Sequence, residues 1–167
     1  MRKYFFFLLI LSVTGCGSVT SEKVRCPKTS ILAEFSKSID FHKEIPIRSD
    51  LDSVIPQCTT DGLQTWVDFR LRITSIRPLL SFNTPMTIKT SYFVAVIDKA
   101  GNVLSRSNHD LVVKFEEKQT TKVNFVQLEE RVPLGKEASI YIGFNLDETQ
   151  RDFLGKERNK NVHNLRP

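Results

Sequence analysis

Alternation of apolar and polar residues with a period of two is the feature that most restricts what this chain can fold into. In residues 66–74 every second side chain is apolar, namely Val67, Phe69, Leu71 and Ile73. Successive side chains of a strand point to opposite faces, so this stretch predicts a strand with one face in a core and one in water. Trp66 has the parity of the polar residues, so it is either a contact residue on the solvent face or a lid over a second apolar layer.

The same alternation recurs along most of the chain. Residues 92–97 are apolar on both faces, as in a central strand, and residues 98–102 supply a Gly-containing turn before the chain restarts at Val103. With strands near Cys26 and in residues 45–55, about seven strands are expected. This spacing favours an all-β fold, an antiparallel immunoglobulin- or fibronectin-III-like β-sandwich, with a small barrel as the alternative.

The two-residue alternation of apolar side chains is interrupted at two places, and each interruption predicts a local structure. The apolar parity changes between Phe125 and Val126, which predicts a β-bulge there. After the last strand, Asp147 and Gln150 have the spacing of a capping box, which predicts a short C-terminal helix ended by Gly155. The sandwich domain is therefore expected over residues 24–155, followed by a disordered tail over residues 156–167.

The first residues are not expected to belong to the fold. Arg2 and Lys3 precede the apolar run 4–11, which is shorter than the ~20 residues that a membrane-spanning helix needs. This arrangement is typical of a secretory signal peptide, expected here over residues 1–15. Removing it lowers the excess of the 24 Lys and Arg over the 19 Asp and Glu from five to three. Export and this modest charge argue against a nucleic-acid partner.

The residues Val13-Thr14-Gly15-Cys16 resemble the lipobox of bacterial lipoproteins. The resemblance implies cleavage behind Gly15 and a lipid anchor on Cys16, with residues 16–23 as the lipidated cysteine and a flexible tether. Membership of that family also implies the cell envelope as the location. Gly17 in place of Asp implies the inner leaflet of the outer membrane, facing the periplasm. The membrane is then the first partner of the protein.

The body of the chain resembles a group of uncharacterised alphaproteobacterial envelope lipoproteins. The resembling segments are Cys26-Pro27, residues 92–98 with the Gly101 turn, and Ile142-Gly143-Phe144 with Gln150. The resemblance implies a domain shared by envelope lipoproteins and brings no activity or catalytic residue with it.

Two cysteines remain once Cys16 is assigned to the anchor. Cys26 and Cys58 flank the first strands, and an oxidising compartment favours their pairing as a disulfide over two free thiols. Closing this loop stabilises the fold by about 3–4 kcal/mol in the chain-entropy model.

The residues of catalysis form no recognisable pattern. Nucleophile elbow, phosphate loop and metal-binding helix motifs are missing from the sequence, so no cofactor and no metal ligand is predicted. His109 and Asp110 are neighbours on a strand and therefore face opposite ways. The pairs Glu116-Glu117 and Glu129-Glu130 are typical of solvated surface.

Three functions stay open at this point. The favoured one is a non-catalytic interaction or assembly module that binds another envelope protein, and therefore not an enzyme. The alternative is a periplasmic protein that binds a glycan or a small hydrophobic ligand in an aromatic groove near Trp66 or Tyr141. The third is a hydrolase with a dispersed site, which converging His or carboxylate side chains would favour. A sandwich supports all three, so the fold does not decide between them.

Overall fold

The computed structural model describes residues 26–81, 83–133 and 137–163, with side chains described as far as Arg158. Within these ranges the chain forms eight β-strands, two short 3-10 helices and one α-helix. The predicted signal peptide, Cys16 and the tether lie outside the described residues.

The elements follow one another along the chain with short connections. The strands are β1 (Lys28–Ile31), β2 (Lys37–His42), β3 (Ile45–Thr60), β4 (Gln64–Ile76), β5 (Met86–Asp98), β6 (Val103–Phe115), β7 (Thr121–Pro133) and β8 (Ala138–Phe144). The 3-10 helices are Ala33–Phe35 and Leu79–Ser81, and the helix α1 is Glu148–His163.

The strands form two sheets of four. Sheet A has the order β1-β8-β5-β6 and sheet B the order β2-β3-β4-β7. Neighbouring strands are antiparallel except β1 and β8, which are parallel. The predicted all-β sandwich is confirmed, with eight strands in the described residues where about seven were expected.

The core lies between the two sheets and follows the alternation in the sequence. Val67, Phe69, Leu71 and Ile73 of β4 are buried, and they pack in one cluster with residues of β5 and β8. Tyr92 and Phe69 both belong to this cluster, as their parity predicted. Burying large apolar side chains contributes about 1.5–3 kcal/mol each before the entropy cost of folding, so this cluster is a major favourable contribution to the stability of the sandwich.

A disulfide joins the two sheets at one end of the molecule. Cys26, just before β1 of sheet A, is bonded to Cys58 in β3 of sheet B, with Cα atoms 5.5 Å apart. The predicted pairing is therefore confirmed.

The β-bulge predicted near Phe125 is wrong. β7 pairs with β4 without a break from Gln64 opposite Pro133 to Ile76 opposite Thr121. The apolar parity changes because Phe125 faces outward, while Val126 and the residues in register with it face the core. The register shifts lie elsewhere, between Leu51 and Ser53 and between Val96 and Ile97.

The helix α1 begins as predicted but is longer than expected. Asp147 N–H donates to Gln150 Oε1 over 2.9 Å, and Gln150 N–H donates to Asp147 Oδ1 over 2.8 Å, so the capping box is confirmed. The helix does not end at Gly155, however, and residues 156–163 are helical rather than a disordered tail. Glycine costs only about 1 kcal/mol inside a helix, and the ion pair of Glu157 with Arg48 holds the following turn against β3.

The helix is polar, and it packs over β2 on the outer side of sheet B. Phe153 meets Phe41 edge to face with ring centroids 5.8 Å apart, and the Gln150 side-chain amide donates to the Ile39 carbonyl. Among the described residues, none of the helices combines the length and apolar character that crossing a membrane requires.

The connection between β4 and β5 is held by a buried arginine. Arg77 is 1% exposed, and its guanidinium donates to the carbonyls of Gln119, Thr84 and Glu116 over 2.6, 2.6 and 2.8 Å. It also lies over the Phe115 ring, 5.3 Å from the centroid. Arg77 thus ties this loop to the turn between β6 and β7.

Candidate functional site

The three histidines lie in different elements of the fold. The His109 ring stacks on Tyr92 with centroids 5.3 Å apart, while Asp110 points to the other face and pairs with Lys89 over 2.8 Å. Burial raises the pKa of Tyr92 to about 12, so its hydroxyl is uncharged at neutral pH. His42 ends β2, and His163 ends α1 beyond the described side chains.

The paired glutamates are also separated. Glu116 and Glu117 are exposed in the turn between β6 and β7, whereas Glu129 and Glu130 face opposite sides of β7. In the described part of the chain, His, Cys, Asp and Glu nowhere form a group of three that could hold a metal ion.

One cluster does bring a histidine and a carboxylate to the same hydroxyl. Ser107 Oγ donates to Glu130 Oε1 over 2.9 Å. His109 Nε2 lies 2.9 Å from Ser107 Oγ. Because the single hydroxyl proton goes to Glu130, His109 is the donor of the second bond. A nucleophilic serine needs the opposite arrangement, in which the imidazole nitrogen accepts the hydroxyl proton. The cluster is therefore a bridge between β6 of sheet A and β7 of sheet B.

Trp66 lies on the outer face of sheet B, as its parity predicted, and its indole is fixed by two neighbours. Arg131, its cross-strand partner on β7, has its guanidinium carbon 4.0 Å from the ring centroid. Nε1 donates to Asp61 Oδ2 over 3.2 Å. The amides of Leu63 and Gln64 also donate to Asp61, and these bonds, with that of Trp66, lower the pKa of Asp61 to about 2.

The open part of the same face carries exposed apolar side chains around an arginine. Ile55 on β3 is 61% exposed and lies opposite Arg70 on β4, which in turn lies opposite Gln127 on β7. Phe125 is 64% exposed, one diagonal step from Arg70. We call Ile55, Arg70, Phe125 and Gln127 the Arg70 patch. A shallow hollow of about 310 Å³ runs between Arg70, Phe125 and Gln127.

Arg70 differs from its cationic neighbours in its charge environment. Arg72 pairs with Asp52 over 3.4 Å, and Arg131 approaches Glu129 at 4.0 Å. Arg70 forms neither a hydrogen bond nor an ion pair with any described residue. Its positive charge therefore faces solvent between two apolar side chains.

The patch rests on a rigid support. The undersides of β3, β4 and β7 at this point are Val54, Leu71, Val126 and their neighbours, which pack into the core. Rigid sheets that display an arginine and an aromatic ring have the composition of energetically dominant interface residues.

Sequence reasoning missed this patch although a signal was present. The parity change at Phe125, read as a bulge, is the mark of apolar residues on the solvent face of a regular strand. Tyr141, the other candidate aromatic, lies between the buried residues Ile140 and Ile142 and thus faces outward from sheet A. Trp66 and Tyr141 therefore lie on the outer faces of opposite sheets and do not share a groove.

Comparison with known proteins assigns no class to this arrangement. No protein-family model, no curated protein and no solved structure matches the chain.

Proposed function

We propose that this protein is a lipid-anchored interaction module of the bacterial cell envelope that docks another envelope protein on the Arg70 patch and catalyses no reaction. The observation that carries the proposal is the pairing of two large apolar side chains, each more than 60% exposed, with an arginine that has no partner among the described residues. Removing such side chains from water favours association.

The chemistry of the patch favours a protein with an acidic group inside an apolar rim. Burying Arg70 without a partner is costly, so the docking protein has to supply a carboxylate there. Phe125 and Ile55 then pack beside the ion pair and exclude water from it. Trp66 and Arg131 extend the same face and are already ordered by their mutual contact, which lowers the entropy lost on binding.

Location in the periplasm, on the inner leaflet of the outer membrane, is part of the proposal. The lipobox resemblance around Cys16, the Gly17 that follows it and the Cys26–Cys58 disulfide support it, because disulfides persist in oxidising compartments. A tether of residues 17–23 at no more than ~3.5 Å per residue keeps the domain within roughly 25–30 Å of the bilayer. This confinement raises the effective concentration for membrane-proximal partners.

The test uses charge reversal and an apolar-to-acidic change in the patch. Arg70→Glu and Phe125→Asp, in the full chain, are expected to abolish co-purification of the partner and to fail to complement a deletion strain. The matched control is Val112→Asp, because Val112 on the outer face of sheet A is 51% exposed and lies away from the patch. Melting curves of all three variants should match that of the unmodified protein.

Two outcomes contradict the proposal. In the first, both patch variants keep the partner and complement fully. In the second, His109→Ala or Glu130→Ala folds normally yet abolishes function, which would indicate chemistry at the β6–β7 bridge instead.

A further inference from the structure

A second feature of the surface is a cleft between α1 and the start of β2. It encloses about 800 Å³, within the range of small-molecule sites. Four elements line it: the 3-10 helix Ala33–Phe35, the start of β2, the first part of β3 and the middle turns of α1. It is separate from the Arg70 patch, with which it shares no lining residue.

The apolar part of the lining is concentrated on one wall. Phe153 and Leu154 are the two large apolar side chains of the first eleven helical residues, and both line the cleft, with Ala33 opposite. Phe153 is anchored by its contact with Phe41. An otherwise polar helix therefore turns its apolar residues toward this space.

The charged part of the lining has a surplus of cations. The lining contains four cationic residues and two acidic ones, namely Lys37, Arg48, Lys156 and Arg158 against Glu34 and Glu157. Glu157 is already bound by Arg48, while Lys156 and Arg158 form no ion pair within the described residues. The Arg48 Nε is buried and has no acceptor in that part of the chain. Two cationic side chains, Lys156 and Arg158, thus remain available for an anion.

We propose that this cleft binds a small amphipathic anion, an alkyl chain that ends in a carboxylate or a phosphate. The alkyl chain would lie against Phe153 and Leu154, where it gains the transfer free energy of burial. The anionic group would be held by Lys156 and Arg158 through charge-assisted hydrogen bonds. The same chemistry is present in free fatty acids and in the anionic ends of membrane lipids.

The experiment is photo-labelling of the full chain in phosphatidylcholine nanodiscs. The probes are a diazirine-bearing dodecanoate, the matching dodecyl phosphate and the matching dodecylamine, and the labelled residues are located by mass spectrometry. Both anions are expected to label residues 33–37 and 148–158. The amine, with the same chain and the opposite charge, is expected to label them about tenfold less.

Variants separate binding from nonspecific partitioning. Leu154→Asp is expected to lower labelling of both segments by about tenfold through lost apolar contact. Lys156→Gln combined with Arg158→Gln changes only exposed side chains, so it leaves the fold intact. It is expected to lower labelling by both anions and to raise labelling by the amine, because the two cations that attract the anions also repel the amine. Arg70→Glu serves as the control and should label as the unmodified protein does.

Competition distinguishes the two sources of the ligand. Loss of labelling when phosphatidylglycerol replaces part of the nanodisc lipid indicates a lipid headgroup, and loss only with added free decanoate indicates a free fatty acid. Equal labelling by amine and anions, or labelling that both the Leu154→Asp chain and the double variant retain, would overturn the proposal. Neither result bears on the Arg70 patch, so the two proposals fail independently.

Discussion

Two polar side chains define the loops at opposite ends of the sandwich. Arg77 is buried and gathers three carbonyl groups from two loops, whereas Asp61 is exposed and gathers amide groups of its own turn and the indole of Trp66. Each side chain supplies hydrogen-bond partners for backbone groups of the loops. Each makes a separate prediction at the scale of one residue.

Replacing Arg77 by Met is expected to destabilise the protein strongly. The substitution keeps much of the side-chain volume but leaves the carbonyls of Gln119, Thr84 and Glu116 without their donor. Buried groups left unpaired cost about 1–3 kcal/mol each, and we expect a loss of about 3 kcal/mol after partial hydration. Urea unfolding measures it. Arg70→Met, at an exposed arginine, should change stability by less than about 0.5 kcal/mol, and equal effects of the two substitutions would refute the role of Arg77.

Asp61 is expected to make the stability of the β3–β4 hairpin depend on acid. Its pKa, about 2 in the folded chain, lies below the ordinary value, so its stabilisation is complete above pH ~4 and is lost as pH falls toward 2. Asp61→Asn should therefore be less stable than the unmodified chain near neutral pH, with the difference shrinking between about pH 4 and 2. Unfolding midpoints and the emission of Trp66 report it. Asp152→Asn, at an exposed helical position, should leave that emission unchanged; a constant difference across the pH range would contradict the prediction.

At the scale of elements, local patterns in the sequence predicted local structure well. The β5–β6 hairpin forms as expected, with Gly101 at φ +90° and the Asp98 carboxylate accepting from the amides of Ala100 and Asn102. The capping box of α1 also forms, because both cases depend on residues within four positions of each other.

Properties set by distant partners were the ones that sequence reasoning missed. The alternation of apolar and polar residues indicates which side chains share a face of a strand. It does not indicate whether that face contacts the core or solvent, and β7 is an example. It is an edge strand on which Asn124 and Glu130 lie opposite the buried Ile73 and Val67 of β4, whereas the apolar Phe125 is exposed on the other face. Beyond Gly155, α1 is in contact with β3 through the Glu157–Arg48 pair, which joins residues far apart in sequence and has no local signal.

The disulfide between the two sheets is expected to stabilise the folded sandwich. Cys26→Ser with Cys58→Ser removes the link between sheets A and B across 32 positions of sequence. In the chain-entropy model the loss is about 3–4 kcal/mol. Urea unfolding of oxidised protein, reduced protein and the double variant measures it. Reduced protein should match the double variant, and equal stability of all three would contradict the prediction.

At the scale of the whole molecule, the two proposed surfaces divide sheet B between them. The α1 side of its outer face carries the cleft, while the far side, on β3, β4 and β7, carries the Arg70 patch. The disulfide includes Cys26, the first described residue, so the proposed tether would join the domain at that end of the sandwich. Val67, opposite Cys58, is nine residues from the end of β4, which places the Arg77 loop roughly 30 Å farther along the sandwich at ~3.3 Å per residue.

The placement of these surfaces relative to the membrane matters only if the chain is anchored. The proposed anchor depends on Cys16. Cys16→Ser removes the sulfur that the lipobox resemblance assigns to acylation, so we expect an unprocessed precursor that incorporates no radiolabelled palmitate. One acyl chain binds membranes only weakly, so the loss of all chains should remove the protein from the outer-membrane fraction, and the unprocessed precursor should be found with the inner membrane through its uncleaved signal. Cys26→Ser with Cys58→Ser is the matched control, since it alters cysteines without touching the lipobox and should still be lipidated. A Cys16→Ser chain that remains labelled and fractionates normally would show that the protein reaches its partners without this anchor, and the proposed confinement near the bilayer would have to be abandoned.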